Sequence, residues 1–262
     1  KENKRVNFDQ LLFKKNIKFK NLKFKYDKSL KTILDVNLQI KKGQFVGLCG
    51  KSGHGKTTFL DIFTGLLEPN YGKVLIDGKE LEKKFISGWQ HNIGYIPQNA
   101  YILNDTINKN ISFGKDQITI DKEKIKKVCK IAEIKSFIEK DLKNTYNSKL
   151  GENGIALSGG QQQRLVIARV LYQDPKILIF DEATNAIDRI TENKVLRNIR
   201  REYKNISIIF VTHRTNTLFN ADKIFFFQNG KIRSQGTYFE LKKRDKNFNN
   251  LIKLYKKKNL KN

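Results

Sequence analysis

The strongest constraint on this chain is a glycine-rich turn that directly follows a short apolar run. The run is Phe45–Cys49, and the turn at residues 50–58 fits the pattern G-x-x-x-x-G-K-[ST]. An apolar run without alternation is typical of a strand buried on both faces, as in a parallel sheet. The apolar residues after the turn predict a helix: Phe59, Leu60, Ile62 and Phe63. A strand–turn–helix unit of this kind favours an α/β fold.

The chemistry of this turn suits a polyphosphate group. Glycines let the backbone curl so that successive N–H groups form a nest for anions, and the following helix adds its positive N-terminal end. Lys56 is expected to supply a full charge to the β and γ phosphates, and the Thr57 hydroxyl to ligate Mg²⁺. His54 is interpreted as a spectator. The expected ligands of the phosphates are Gly50, Ser52, Gly53, Gly55, Lys56, Thr57 and Thr58.

Two acidic residues close a second apolar run, at residues 177–180. A buried strand would hold Asp181 and Glu182 at the carboxyl edge of the sheet, where α/β folds bind ligands. Asp181 is expected to hold Mg²⁺ through water and Glu182 to polarise the attacking water, as phosphoryl transfer requires. An acidic N-cap is the alternative for this pair. A third run, at residues 206–211, leads to His213, which is expected to bond the γ-phosphate and help position Glu182.

Apolar patterning along the rest of the chain predicts alternating strands and helices. Further strands are predicted at residues 17–26, with a break, and at residues 36–40. Asp77-Gly78 and Asn229-Gly230 predict tight hairpins. Helical spacing is shown by Ile125, Val128, Cys129 and Ala132. A β-rich start, a helical middle and a β/α return predict a three-layer core with an inserted helical lobe.

The length and composition are those of a globular protein. The 262 residues are 39% hydrophobic and 11% aromatic, which suits one large α/β domain or two small ones. The apolar runs are shorter than the ~20 residues that cross a bilayer, and the basic N-terminus lacks the apolar core of a secretory signal. The chain begins at Lys1 and contains no Met, which is compatible with an excerpt of a longer, membrane-bound protein.

Neither cysteine belongs to a metal-binding pattern. Cys49 and Cys129 lie outside any CxxC or Cys/His cluster, so no metal site is expected at either one. Both are interpreted as small buried hydrophobes of a protein with a reduced, cytosolic history.

The net charge of +26 comes from 52 basic and 26 acidic residues. Lysines are spread along the whole chain, so the charge is interpreted as compositional bias on a solvated surface, and no specific nucleic acid is expected as a partner. Attraction to anionic lipid headgroups is the next alternative.

Residues 157–161 read Leu-Ser-Gly-Gly-Gln. They match in full the signature of the nucleotide-binding domains of ABC transporters, which the chain resembles over roughly residues 17–241. Ser158 and the glycine N–H groups are expected to open a helix from Gln161 to about Tyr172, with its positive end facing a phosphate. In the family, that phosphate is held by the other subunit. The resemblance therefore implies an ATP-dependent head-to-tail homodimer that encloses two ATP molecules.

The resemblance assigns roles to further positions. Tyr26 resembles the aromatic residue that stacks on adenine, with an ordinary strand aromatic as the alternative. Gln98 resembles the Q-loop glutamine, which contacts Mg²⁺ or water and senses the transmembrane partner. Asp188 matches the D-loop, whereas Asn185 stands where the family more often has Ser.

With ATP and Mg²⁺ as the implied cofactors, the expected residues form three sets. The catalytic set is Lys56, Gln98, Glu182 and His213. The nucleotide-binding set joins the phosphate turn with Tyr26, Gln98, Ser158, Gly159, Gly160, Gln161 and Asp188. The metal-binding set is Thr57, Gln98 and Asp181.

Local features resemble exporters within this family. They are Tyr26, residues 104–111 after the Q-loop, and Gly151-Glu152 before the signature. They imply a transmembrane domain as partner, expected in the same parent chain, and a place at the cytoplasmic face of a membrane. Two alternatives stay open: a soluble ABC ATPase that acts on nucleic acid or ribosomes, and a regulatory module without turnover.

The implied fold is α/β, with a P-loop NTPase core of the RecA-like type, an antiparallel β subdomain and an inserted α-helical subdomain. The whole chain is expected to form a single ATPase domain. Its expected parts are an N-terminal linker at 1–16, the ATP-binding core at 17–99 and 173–246, the helical subdomain with the signature at 100–172, and a basic C-terminal helix or tail at 247–262.

Overall fold

The structure, a computed structural model, describes residue 11 and residues 13–26, 34–114, 119–151 and 154–259, with side chains up to residue 256. Most of the expected linker at 1–16 lies outside these residues. The chain divides into two compact units, one formed by Lys1–Ile93 with Ser207–Asn262 and the other by Gly94–Ile206. The subdomain boundaries expected at residues 99/100 and 172/173 stay predictions.

Strands and helices alternate through most of the described chain. The strands are β1 Asn16–Phe24, β2 Leu34–Lys41, β3 Phe45–Cys49, β4 Tyr71–Ile76, β5 Lys79–Glu80, β6 Ile93–Ile96, β7 Ile177–Asp181, β8 Ser207–Val211, β9 Lys223–Gln228 and β10 Lys231–Gly236. The helices are α1 Lys56–Phe63, α2 Ile86–Gln90, α3 Ile107–Ile111, α4 Lys122–Ile131, α5 Lys135–Lys140, α6 Gly159–Tyr172, α7 Arg189–Glu202, α8 Thr215–Phe219, α9 Tyr238–Arg244 and α10 Lys246–Asn259. The α/β class is confirmed.

The first unit combines antiparallel and parallel pairing in one sheet. Its strand order is β5-β4-β1-β2-β10-β9-β3-β8. β1 pairs antiparallel with β2 and β4, whereas β3 is parallel to both β8 and β9. Every residue of β3 and β8 is buried, as expected for parallel strands covered on both faces. In the second unit, β6 and β7 are neighbours.

The break expected in the first strand is confirmed, but the strand is shorter than expected. Its pairing register shifts between Phe19 and Leu22, and Asn21 adopts a φ of 49°. β1 ends at Phe24 rather than at Tyr26. The reason is that the next amide, that of Lys25, donates to Asn70 Oδ1 at 2.7 Å instead of to a neighbouring strand.

Both hairpin predictions are confirmed by backbone angles. Asp77 and Gly78 have φ of 51° and 90°, and Asn229 and Gly230 have φ of 51° and 74°. Two successive positive φ values are typical of a type I′ turn, whose twist matches that of the flanking strands. The second hairpin joins β9 to β10 and lies next to the phosphate turn, because the Gly230 amide donates to the His54 carbonyl at 3.3 Å.

Helix α1 is fixed by an aromatic core within the first unit. The ring of Phe59 lies 4.8 Å from that of Phe19 on β1. Trp89 is fully buried, and its Nε1 donates to the Phe63 carbonyl at 2.7 Å. Burying each large apolar side chain contributes roughly 1.5–3 kcal/mol, so these contacts hold the middle and the C-terminal end of the helix that follows the phosphate turn.

The second unit is built around α6. The side chains of Leu165, Ile167 and Ala168 are completely buried. Arg169 fastens the helix to α3, because its Nε donates to the Asn110 carbonyl and its Nη2 to Asn110 Oδ1, both at 2.7 Å. The predicted helix around residue 128 is α4, which buries Ile125, Val128 and Cys129 as its spacing requires.

The structure also shows the environment of the two cysteines and the lengths of the helices. Cys49 and Cys129 are both buried and free; burial raises the pKa of Cys129 to about 12 and the pKa of Cys49 well above its ordinary value. Within the described chain, the helices are too short or too polar to cross a bilayer.

Candidate nucleotide site

The phosphate turn occupies residues 50–55, between β3 and α1. Gly50, Gly53 and Gly55 have φ of 150°, 75° and 92°, so the backbone curls through conformations that favour glycine. A Cβ on Gly50 would lie 2.4 Å from the Phe227 carbonyl oxygen. The first residue of the turn must therefore be glycine for the turn to pass β9 this closely.

The N-terminus of α1 has the character of an anion site. Its N-cap residue is Gly55, no described side chain caps it, and its first turn carries no acidic residue. The first N–H groups of a helix need acceptors from outside the helix, and a phosphate fits this requirement together with the helix dipole.

Lys56 lies at the same end of α1. Its side chain is buried, with 7% of the residue exposed. The ammonium donates to the carbonyl oxygens of Gly50 at 2.9 Å and Lys51 at 3.0 Å. The ammonium therefore bonds two carbonyl oxygens of the turn, which an anionic phosphate oxygen could replace with stronger, charge-assisted bonds.

An exposed aromatic ring lies next to this helix. Tyr26 is 59% exposed, and its hydroxyl is 3.3 Å from Thr58 Oγ1 on α1. The Tyr26 and Phe24 rings meet at an interplanar angle of 86°, with their centroids 4.9 Å apart. The exposure of the Tyr26 ring is compatible with stacking on a planar base such as adenine.

Two histidines of the first unit lie near the turn. His54 Nδ1 is 3.4 Å from the Phe227 carbonyl, which fits a role in fastening the turn rather than in chemistry. His213 follows β8 and is half-buried. Its ring meets that of Tyr255 edge to face, with centroids 4.9 Å apart.

In the second unit, the acid pair stands at the end of β7. Asp181 is the last residue of the strand, and its Oδ2 accepts a bond of 2.6 Å from the Tyr95 hydroxyl on β6. Glu182 follows with a φ of 51°. This left-handed conformation costs a residue other than glycine roughly 1–2 kcal/mol, and such strain is concentrated at functional positions.

The expected Q-loop begins where β6 ends. Gln98 is exposed, two residues after Ile96. The preceding carbonyl, that of Pro97, accepts a bond of 3.1 Å from Nε2 of the buried Gln163 on α6. The backbone next to Gln98 is thus tied to the signature helix.

The signature opens α6 with a complete capping box. Ser158 Oγ accepts from the Gln161 amide at 3.3 Å, and Gln161 Oε1 accepts from the Ser158 amide at 2.8 Å. The helix therefore begins at Gly159, two residues earlier than expected. A Cβ on Gly160 would lie 2.9 Å from the Ala186 carbonyl oxygen, so a small residue is required where the helix passes the D-loop.

Asp188 caps the next helix, α7. Its Oδ1 accepts from the amides of Ile190 and Thr191, each at 3.0 Å. The bond from the Thr191 amide is the main reason that the pKa of Asp188 lies below its usual range.

Three other positions that the family resemblance singled out are less well defined. Asn185 is exposed in the turn before α7. Gly151 lies close to Asn104, and Glu152 lies outside the described residues.

Each unit thus brings together part of the expected site. The first holds the phosphate turn, Tyr26 and His213; the second holds the acid pair, Gln98, the signature and Asp188. Sequence reasoning assigned no role to Tyr95, Gln163 or Tyr255. The alternation of β6 could have marked Tyr95, whose side chain points away from the buried Gly94 and Ile96.

The residues expected to hold Mg²⁺ suit that ion chemically. Thr57, Gln98 and Asp181 offer hydroxyl, amide and carboxylate oxygens, and Mg²⁺ prefers oxygen ligands. The described residues contain no group of three His, Cys, Asp or Glu side chains that could form a metal cage. Mg²⁺ is usually held by one or two protein ligands together with substrate phosphates.

Comparisons with known proteins agree with this arrangement. A family model described as "ABC transporter" matches residues 33–185. The chain is 40% identical over 227 residues to the alpha-hemolysin translocation ATP-binding protein HlyB of Escherichia coli O6:H1 strain CFT073, and 39% identical over 227 residues to the leukotoxin translocation ATP-binding protein LktB of Mannheimia glucosida. In both cases the match covers 86% of this chain and 32% of the relative, so the chain spans about a third of their length.

A solved structure shows the same likeness in three dimensions. It is the structure of a bacterial Atm1-family ABC exporter with ATP bound, matched with a TM-score of 0.85 and 32% sequence identity over 94% of this chain and 43% of the exporter chain. The expected P-loop NTPase fold is confirmed by this match. Because the family model covers more than half of the 262 residues, the chain belongs to the ABC transporter family, as a nucleotide-binding ATPase domain.

Proposed function

We propose that this chain binds and hydrolyses ATP to drive export across a membrane, as the nucleotide-binding domain of an ABC exporter. One observation carries the proposal: two helices have glycines at their N-terminal ends, and each of these ends suits a phosphate group. These are α1, which lacks a side-chain cap, and α6, which opens at the signature. A simple P-loop ATPase requires only the first of them.

In this proposal the phosphate turn holds the triphosphate. Backbone N–H groups of residues 50–58 bond the phosphate oxygens, and Lys56 exchanges its carbonyl partners for the β and γ phosphates. Thr57, Asp181 and Gln98 are assigned to Mg²⁺, which neutralises charge on the β and γ oxygens. These roles rest on the chemistry of the side chains and on membership of the family.

Hydrolysis is assigned to Glu182 and His213. Glu182 orients and polarises the attacking water, and its strained backbone at φ 51° supports a functional role for this position. His213 bonds the γ-phosphate. This division follows from the loose transition state of phosphoryl transfer, in which positioning and charge stabilisation do most of the work.

The second half of each site is assigned to another copy of the chain. Ser158, Gly159, Gly160 and Gln161 would cap the γ-phosphate bound to the partner copy, and Asp188 would contact that partner's site. In support, the first turn of α6 is accessible: Ser158 and Gly159 are exposed and Gly160 is half-buried. Two copies arranged head to tail then form two equivalent sites.

A transmembrane domain is the proposed mechanical partner. The relatives named above are translocation ATP-binding proteins about three times as long as this chain, so we place this domain at the cytoplasmic face of a membrane, within a longer protein. Gln98 is assigned to sensing that partner. The +26 charge is the sole feature that favours a nucleic-acid role, and we do not adopt that alternative.

The proposal predicts that ATP hydrolysis per molecule depends on protein concentration. Because one copy completes the site of another, the specific rate should rise as the concentration of the 262-residue chain passes the dissociation constant of the dimer. Phosphate release with Mg-ATP across a dilution series measures this. A constant specific rate from protein that sediments as a monomer throughout the series would place the whole site in one copy. If wild-type protein released no phosphate, the enzymatic role itself would be contradicted.

The Tyr26 assignment has its own test. Tyr26→Ala should weaken ATP binding by ~1–2 kcal/mol, the usual size of aromatic stacking on a base, and Tyr26→Phe should retain most of the affinity because the ring remains. Titration of a fluorescent ATP analogue measures both. Tyr71→Ala is the matched control, since Tyr71 is another exposed tyrosine of the same unit. An unaltered dissociation constant for Tyr26→Ala would return Tyr26 to a structural role.

A further inference from the structure

The last helix of the chain contacts the first residue of the phosphate turn. The Tyr255 hydroxyl donates to the Gly50 carbonyl oxygen at 3.0 Å and accepts from the Gly50 amide at 3.2 Å. Both residues are buried; Tyr255 is 4% exposed. One hydroxyl therefore satisfies both backbone groups of Gly50 across 205 positions of sequence.

The ring of Tyr255 has a second neighbour that belongs to the candidate site. The His213 ring meets it at an interplanar angle of 87°, with the centroids 4.9 Å apart. An edge-to-face pair of this kind restricts the orientation of both rings. Tyr255 is thus in contact with the phosphate turn through its hydroxyl and with His213 through its ring.

Helix α10 is firmly attached to the first unit, so these contacts are not those of a loose end. Asp245 Oδ1 accepts from the amides of Asn247 and Phe248 at 2.8 and 3.1 Å, and its Oδ2 accepts from Ser234 Oγ at 2.7 Å. The buried face of the helix joins an apolar cluster that also contains Cys49, the last residue of the strand before the turn. The members of this cluster on α10 are Phe248, Leu251, Ile252 and Tyr255.

The carbonyl of Gly50 is shared between Tyr255 and Lys56. Lys56 Nζ donates to it at 2.9 Å, so the Tyr255 hydroxyl competes for the same oxygen. Without the Tyr255 hydroxyl, the hydrogen bond from Lys56 to the Gly50 carbonyl would be stronger. Lys56 would then lose more binding free energy when it moves from that carbonyl to a phosphate. The buried Gly50 amide would also lose its partner, which favours a shifted turn. Both effects weaken nucleotide binding.

We propose that Tyr255 is a positioning residue for nucleotide binding: its hydroxyl fixes the start of the phosphate turn, and its ring orients His213. The inference rests on the proposed function, because it assigns the turn to the triphosphate and His213 to the γ-phosphate. It extends the site to the C-terminal helix, which the motif residues do not include.

The hydroxyl is tested by Tyr255→Phe in the 262-residue chain. The dissociation constant and the KM for ATP should rise by roughly two- to tenfold, the size expected for one lost hydrogen bond, whereas kcat at saturating ATP should stay close to wild type. The matched control is Tyr238→Phe, because Tyr238 lies in the same cluster and contacts the aromatic rings of Phe219, Phe239 and Phe248. The KM of this control variant for ATP should equal that of the wild-type protein.

The ring is tested by Tyr255→Leu, which removes the contact with His213 as well. This variant should lower kcat in addition to raising KM, and Tyr255→Phe should restore kcat alone. Thermal melting without nucleotide separates folding from binding, because a purely structural residue would lower the melting temperature without changing KM for the folded fraction. An unchanged KM in Tyr255→Phe, with wild-type protein binding ATP normally, would overturn the inference. Failure of wild-type protein to bind ATP would instead overturn the proposed function.

Discussion

Glu182→Gln is expected to abolish most ATP turnover while ATP remains bound. The amide keeps the size of the side chain but loses its charge and basicity, so it no longer polarises the attacking water. Positioned groups of this type contribute on the order of 10²–10⁴-fold to rate. ATP binding should persist because the phosphate turn and Lys56 are untouched. The backbone conformation at this position, with φ of 51°, should be the same with glutamine as with glutamate.

Steady-state phosphate release and equilibrium ATP binding check this expectation together. Glu123→Gln is the matched control, because Glu123 is an exposed glutamate of the same unit that pairs with Lys126 on α4. It should hydrolyse ATP at the wild-type rate. If Glu182→Gln also turned over at that rate, Glu182 would not be the residue that activates water.

Lys56→Ala is expected to weaken nucleotide binding itself. The substitution removes the buried ammonium that the turn holds at the Gly50 and Lys51 carbonyls. Bonds to charged groups contribute about 1.5–3 kcal/mol each, so a loss of affinity on the order of tenfold to a hundredfold is expected. The fold should persist, since the carbonyl of Gly50 keeps its bond from Tyr255.

Isothermal titration with ATP measures this loss. Lys51→Ala is the control within the same turn: its side chain is exposed, and the backbone atoms that line the turn remain. Its affinity should fall little. Equal losses in the two variants would point to a general electrostatic effect of the basic turn, and unchanged affinity in Lys56→Ala would count against the phosphate-binding role of this loop.

The features that were predicted best from the sequence depend only on residues that are close together along the chain. The glycines at 50, 53 and 55, the Asn229-Gly230 hairpin and the buried strand Phe45–Cys49 each follow from local backbone preference or apolar patterning, and the structure has them all. Where prediction failed locally, one or two hydrogen bonds decided the outcome. The Lys25 amide turns to Asn70 and ends β1 at Phe24, and the capping box moves the start of α6 to Gly159.

The features that could not be predicted from the sequence are contacts between residues far apart in the chain. Tyr95 and Asp181 are separated by 86 positions, and Gly50 and Tyr255 by 205. Such pairs depend on which strands are neighbours and on how a helix docks, and one chain's pattern of apolar residues does not specify either. Tyr255 fits the apolar face of a helix equally well with or without a function for its hydroxyl, so only the structure reveals its contact with the phosphate turn.

The central claim is that the turn around Lys56 in one copy and residues 158–160 in another hold the same ATP. Sedimentation of the Glu182→Gln variant tests it most directly, at a Mg-ATP concentration that saturates this variant but leaves the control Glu182→Gln/Lys56→Ala largely without nucleotide. The account predicts a species of twice the 30.5 kDa chain mass for the single variant and a monomer for the double variant. A single variant that binds ATP yet stays monomeric at every concentration would contradict it.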